Sequence, residues 1–334
     1  MLVLSKEVSA VQAGILKILL VDGRKSAAEI AKEIGVTKEE VYRHFQEMKR
    51  VGIIKGATIH INYRSFGYKA VAHLLINIDP QQADQLIEYV KKMPDIYSVY
   101  SNGPKGNIRI VTTLKTLQQL DEVKEEIKGK FSIFDLKTSI WTDVKEMHSN
   151  LAIAPQNNMK PMQVDGQTKT HKTSSSGVQK KNIKIDEIDF KIAEKLAENG
   201  RVPLEKMAQE IGITNSAVKR RYEKLKKNGV LKVTIQVDLA KIGYQAMAIF
   251  FVTVTMREDS FTIIEKISRI PDVISIMKTS GDYDFQIYAM IRDIDHLLTI
   301  QSEIAKIHGI TKLELEIART LNKWPTPRQY ISTI

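Results

Sequence analysis

From Glu205 to Leu231 the chain reads EKMAQEIGITNSAVKRRYEKLKKNGVL. Leu204 to Ile211 reads as a short helix, Gly212 as a stop, and Ser216 to Lys227 as a second helix rich in Lys and Arg. Upstream, Asp186 to Glu198 sets Ile188, Ile192 and Leu196 at helical spacing. Three short helices in close succession are the parts of a helix-turn-helix, whose second helix turns its amino-terminal residues toward base edges.

The same stretch occurs twice. AEIAKEIGVT, Ala28 to Thr37, aligns with EKMAQEIGIT, Glu205 to Thr214, at an offset of 177 residues, and five of the ten positions are identical. The offset holds for Val41 and Val218, Arg43 and Arg220, Gly52 and Gly229, Lys55 and Lys232. It slips by one at Gly67-Tyr68 against Gly243-Tyr244 and recovers at Pro94-Asp95 against Pro271-Asp272. The period is far longer than a solenoid repeat, so the unit is a duplicated module of about 150 residues.

Beyond the helices of the second copy, Lys232 to Asp238 is β-branched and suits a strand or wing. Strand patterns follow at Ala246 to Thr255, Val273 to Thr279, Phe285 to Ile291 and Leu313 to Ala318, with helices at Phe261 to Arg269 and His296 to Ile307. The order βαββαβ builds an antiparallel sheet with both helices on one face, a ferredoxin-like fold in the α+β class. Val71 to Thr142 repeats that order. The expected organisation is therefore a winged helix-turn-helix at 1–56, a ferredoxin-like domain at 57–154, a linker at 155–183, a second winged helix-turn-helix at 184–232 and a second ferredoxin-like domain at 233–334. The linker carries five Lys against one Asp and little aliphatic character, the composition of a disordered segment, and its 29 residues span roughly 30 Å as a coil.

Composition narrows the function. In 334 residues there is no cysteine, which removes disulfides, thiolate metal sites and cysteine nucleophiles and makes an intracellular, cytoplasmic protein the simple reading. The start, MLVLSKEVSA, lacks the pattern of a secretory signal, and the longest apolar run, Ala246 to Val252, is far short of the ~18 residues of a membrane span. A net charge of +11 favours a polyanionic partner. There is no GxGxxG, GxxxxGK[ST] or HExxH, and the seven histidines are scattered from His44 to His308 without ligand spacing. No catalytic residue, metal site or cofactor is expected, and no membrane partner.

Double-stranded DNA is the partner the charge selects. From Thr214 to Lys232 seven basic residues face the single acid Glu223. Thr214, Asn215 and Ser216 can cap the helix, donate to phosphate or read bases, while Lys219, Arg220, Arg221, Lys224 and Lys227 supply positive charge. In the first copy Thr37, Lys38 and Arg43 occupy corresponding places, but Glu39 and Glu40 stand at the helix start, where Thr37 and Glu40 spell a capping box. Carboxylates stabilise that end of a helix and repel phosphate.

Taken in order, these fragments resemble the Lrp/AsnC family of feast/famine transcription regulators over nearly all of the second copy. The resemblance rests on Asp186-x-x-Asp189-x-x-Ile192, Gly200-Arg201, Ile211-Gly212-Ile213-Thr214, Val218-x-x-Arg221-x-x-x-Leu225-x-x-x-Gly229-Val230-Leu231, Gly243-Tyr244 and Gly281-Asp282-Tyr283-Asp284. It implies a winged helix-turn-helix joined to a ferredoxin-like domain that dimerises through its sheet and often binds an amino acid at subunit interfaces. It therefore nominates Gly281, Asp282, Tyr283 and Asp284 as an effector site. Their own chemistry leaves two readings open, because Gly flanked by Asp is ordinary turn chemistry and is also able to hold an ammonium group.

The first copy departs from that pattern. Ser9 and Gln12 replace Asp186 and Asp189, His44 replaces Arg221, and Pro104-Lys105-Gly106-Asn107 replaces the GDYD loop. One intact and one altered module point either to an intramolecular pseudo-dimer or to a homo-oligomer joined through equivalent modules. Two other functions remain in view. Sirohaem decarboxylases resemble the same family and occur as fused two-module chains, although Ser98 to Thr113 and its partner Ser275 to Ile291 lack the His-Asn-Tyr and Asn-Leu-Trp-Phe elements that resemblance would require. A non-specific architectural DNA binder would use the basic linker through phosphate neutralisation.

Overall fold

The computed structural model describes residues 8–93, 95–101, 106–153, 185–255, 259–320 and 322–325. The linker at 155–183, Pro104 and Lys105, and most of the MLVLSKEVSA start lie outside them.

The chain forms two compact units, and each draws on both copies. In the first, α1 (Ala10–Val21), α2 (Ala27–Ile34) and α3 (Lys38–Arg50) are followed by β1 (Ile54–Ile61). Ser9–Gln12, Ser26–Glu29 and Thr37–Glu40 capping boxes start the three helices, each cap worth about 1 kcal/mol. Gly35 ends α2 at φ 71°, a left-handed value that glycine reaches without a Cβ clash, and this is the turn of the helix-turn-helix.

The second copy repeats the design with α6 (Glu187–Glu198), α7 (Leu204–Ile211), α8 (Asn215–Lys227) and β6 (Leu231–Val237); Gly212 at φ 80° mirrors Gly35. The strand expected at Lys232 to Asp238 is therefore present, but its partner is unexpected. β6 pairs antiparallel with β1 of the other copy, Ile61 opposite Leu231 and Thr58 opposite Thr234. The helices cross over too, α1 packing on β6 and α6 on β1.

Small residues make that exchange possible. A Cβ on Gly23 would stand 2.7 Å from the backbone of Thr234, and one on Gly200 would stand 2.8 Å from the Thr58 carbonyl oxygen. The buried hydroxyls of Thr234 and Thr58 donate to the carbonyls of Leu20 (3.0 Å) and Ala197 (2.9 Å), tying each strand to the end of the opposite copy's first helix. The sequence boundaries at 56/57 and 232/233 cut β1 and β6, which belong with the helices.

The second unit contains β2 (Ala70–Ile78), α4 (Ala83–Val90), β3 (Ile96–Ser101), β4 (Asn107–Leu114), α5 (Gln118–Lys128) and β5 (Ile133–Glu146) from the first copy. From the second come β7 (Ala246–Val254), α9 (Ser260–Ser268), β8 (Val273–Ser280), β9 (Phe285–Ile291), α10 (Ile294–Ala305) and β10 (Ile310–Arg319). Both show the βαββαβ order read from the sequence. The strands make one antiparallel sheet, β10-β7-β9-β8-β5-β2-β4-β3, in which β5 of one copy joins β8 of the other from Ile140–Ser280 to Glu146–Ser275.

That open sheet folds over so that Arg109 on β4 pairs with Glu316 on β10, near opposite ends of the strand order. Between its facing halves lie His73, Tyr100, Trp141, Gln286 and Tyr288. Trp141 Nε1 donates to Gln286 (3.2 Å), Gln286 donates to Ser139 (2.9 Å), and the Tyr100 and Tyr288 hydroxyls meet at 3.5 Å. Burial, reinforced by Arg109, depresses the His73 pKa to about 3, so the imidazole is neutral at ordinary pH.

In each copy the tyrosine of the Gly-Tyr pair locks onto an aspartate. Tyr244, fully buried, donates to Asp272 at 2.5 Å, and Arg292 pairs with the same carboxylate at 2.7 Å. Tyr68 donates to Asp95 at 3.0 Å in the first copy, and both aspartates hold left-handed backbone, φ 65° and 63°. Holding a non-glycine residue there costs conformational energy that the side-chain bonds offset.

Candidate nucleic-acid interface and effector loop

α8 buries one stripe, Val218, Tyr222 and Leu225, against its own module. The rest of the helix is turned outward. Thr214 caps it, accepting from the Ala217 amide at 3.2 Å, and its hydroxyl lies 3.1 Å from that of Ser216. Asn215, Ser216, Lys219, Arg220, Lys224 and Lys227 are exposed, so capping hydroxyls, an amide and four cations share one solvent face. The helix dipole adds positive character at the same end. No acid occupies the first turn.

Arg221 is placed differently from its neighbours. Its guanidinium donates to Asp186 (2.7 Å) and to Asp189 (2.8 Å), whose side chain is only 1% exposed, and so pins α8 to the start of α6. Burial opposes ionisation of Asp186, but the Asp189 amide and Arg221 hold its carboxyl below the usual range. The same bonds raise the Arg221 pKa. This arginine is engaged within the module rather than offered to solvent with Arg220. Lys226, further along α8, pairs with Asp22 of the first copy at 2.9 Å.

In the first copy α3 presents Thr37, Lys38, Glu39, Tyr42 and Arg43 to solvent. Glu40 closes the capping box, accepting from the Thr37 amide at 3.2 Å while its own amide donates to Thr37 at 3.1 Å. Two carboxylates thus stand where α8 has Ser216 and Ala217. The triad of Asp186, Asp189 and Arg221 has no charged equivalent: Ser9 and Gln12 cap one another, and Gln12 reaches Glu47 at 3.5 Å.

The GDYD loop connects β8 to β9. Asp284 accepts from the Val254 amide at 2.8 Å, and its own amide donates to Val252. Tyr283 packs on Phe251 with ring centroids 5.1 Å apart and donates to Glu314; burial first, then Glu314, pushes its pKa up to about 12. Lys312 lies over the Tyr283 ring at 5.2 Å. A Cβ on Gly281 would come 3.3 Å from both Ser139 and Thr138 of β5, so glycine allows the first copy's strand to run beside the loop. Asp282 is the exposed carboxylate of the four residues.

Sequence reading missed two features. The pair Gly23-Arg24 stands 177 residues before Gly200-Arg201, and that offset was the available signal for the crossed-over helices. His73 gave none, because β2 is buried on both faces over much of its length and alternation cannot mark a polar interior.

Comparison with known proteins agrees with this geometry. The AsnC-type helix-turn-helix domain matches residues 185–226 and the Lrp/AsnC ligand binding domain matches 248–319, while a helix-turn-helix domain matches 9–57. The chain is 34% identical over 130 residues to the HTH-type transcriptional regulator LysM of Saccharolobus solfataricus, covering 39% of this chain and 89% of that one. It is 34% identical over 131 residues to the HTH-type transcriptional regulator LrpA of Pyrococcus horikoshii, covering 39% and 92%. Among solved structures, the sirohaem decarboxylase NirDL shares the fold over 96% of this chain and 94% of its own, with a TM-score of 0.59 at 15% identity. At that identity the likeness is one of fold. Among the described residues no helix is long and apolar enough to cross a membrane.

Proposed function

The chain belongs to the Lrp/AsnC family of transcription regulators, and from that premise we propose that it reads duplex DNA unequally, through α8 far more than through α3. The observation that carries this is the exposed face of Thr214, Asn215, Ser216, Lys219, Arg220, Lys224 and Lys227 on α8, against Glu39 and Glu40 on α3. Phosphate contacts from the lysines fix position, and Arg220, free of any ion pair among the described residues, is the side chain suited to guanine. The two helix-turn-helix copies pair within one chain through β1 and β6, so a single chain supplies the two-reader arrangement that half-sites require. Association of whole chains into higher even assemblies remains compatible with this unit, and light scattering measures it.

For the effector, the loop at Gly281 to Asp284 supports a small polar ligand such as an amino acid. Asp282 is its free carboxylate, while Tyr283 and Asp284 shape the loop. Regulation of DNA binding rather than catalysis is the activity this arrangement serves.

Fluorescence anisotropy against the duplex upstream of the protein's own gene and a random duplex, across salt, tests the reading. Preference for the upstream duplex, with a log–log slope near −5 for about six neutralised phosphates, is expected. Absence of binding at low salt, or a Soret band in the purified protein, would contradict it and favour tetrapyrrole chemistry.

A further inference from the structure

The crossed-over interface of the first unit departs from reciprocity at a pair of arginines. Arg24 and Arg201 occupy equivalent positions, each following a glycine that lies against the opposite copy's strand. Arg24 reaches across, donating through Nη1 to the carbonyls of Gly200 (2.9 Å) and Val202 (3.0 Å), and lies over the Tyr222 ring at 5.5 Å. Arg201 also reaches across, lying over the equivalent ring, Phe45, at 5.0 Å, yet its Nη1 is buried without a hydrogen-bond partner. Burial, and then the charge of Arg24, lower its pKa. A buried guanidinium nitrogen left unsatisfied is costly, and among the described residues Arg201 makes no ion pair that would offset it.

That arginine lines a half-open cavity of about 150 Å³ between α1, α2 and α3. Leu19, Ile30, Val41 and Phe45 form apolar walls, and Lys25 and Gln46 add polar groups to Arg201. The space corresponds to about five water molecules, enough for a short branched ligand. No carboxylate is among the lining residues; of the acids nearby, Glu33 is paired with Lys25, and Asp22, whose charge acts on Arg201, is paired with Lys226. A carboxylate entering here meets Arg201, whereas an ammonium group meets no acid among the lining residues.

We propose that this cavity binds a small aliphatic monocarboxylate without an amino group, of the 2-oxo acid class, with its carboxylate on Arg201 and its branched body against Leu19, Ile30 and Val41. The site lies along the first copy's reading helix, with Tyr42 and Gln46 at its edge and Arg201 supplied by the second copy, and it is distinct from the GDYD loop. It gives the weakly charged first copy a sensing role independent of base reading.

Isothermal titration of the full chain with 4-methyl-2-oxopentanoate, using leucine as the matched amine, tests this. Saturable heat from the oxo acid is expected, weakened at least tenfold by Arg201→Met and by Ala27→Leu, which adds a side chain into the cavity, and retained in Asp282→Asn. The two variants attack the site independently, and their thermal unfolding without ligand reports on folding. No heat from the parent protein would overturn the proposal, leaving water as the occupant. Heat that survives both cavity variants, or that disappears with Asp282→Asn alone, would overturn it in favour of the loop.

Discussion

Where the second copy sets Arg221 between Asp186 and Asp189, the first has His44 at the equivalent position while Ser9 and Gln12 cap one another, and where α8 opens on Asn215 and Ser216, α3 opens on Lys38 and Glu39. The scaffolds nonetheless agree closely. Both begin their first and third helices with polar caps, turn at a left-handed glycine, and send a strand to the other copy past a glycine and a buried threonine. The comparison teaches that packing and charge separate cleanly here: apolar spacing and small residues set the shape of each module, and the polar residues on its outer face set what it can touch.

The largest expected effect tests the triad. Arg221→Ala strands the buried Asp189 and should cost about 3 kcal/mol of stability in urea unfolding, at the low end for a broken buried pair because Arg221 is a quarter exposed. His44→Ala, at the equivalent place, should cost under about 1 kcal/mol. Equal losses would break the distinction. Next, Gly23→Ala and Gly200→Ala each drive a Cβ into the opposite strand and should cost about 1 to 3 kcal/mol apiece in the same assay. A loss confined to one of them would show that the exchange is less reciprocal than the geometry indicates.

A second contrast lies inside the sheet, where His73 on β2 corresponds to Ile249 on β7 and both are fully buried. The unfolded chain protonates His73 below about pH 6.5, whereas the folded chain resists until about 3. Stability is therefore fully present above 6.5 and falls as pH drops through that window, by at most roughly 1.4 kcal/mol per pH unit. In His73→Gln the curve of Tm against pH should flatten between those limits. A curve that follows the parent would assign the acid sensitivity elsewhere.

Much of this was legible in the sequence. The 177-residue offset exposed the duplication, and the capping residues and apolar spacing located α6, α7 and α8 within a residue or so. The strand order followed from alternating hydrophobic runs. What stayed hidden depends on contacts between copies. A strand such as Lys232 to Asp238 carries no mark of its partner, so the β1–β6 pairing could not be read from either segment alone. Arg220 and Arg221 are adjacent and chemically identical in sequence; only the position of Asp186 and Asp189 in space separates an exposed reader from an internal clamp. Asp282 and Asp284 divide in the same way, one exposed and one capping a backbone amide.

The central claim is the inequality of the two reading helices, and one anisotropy titration at fixed salt addresses it. Against the upstream duplex, Arg220→Ala should weaken binding by about 1 to 3 kcal/mol, while Lys38→Ala and Arg43→Ala on α3 should each change it by less than about 0.5 kcal/mol. Larger losses from the α3 variants than from Arg220→Ala would contradict the account and make the first copy the principal reader.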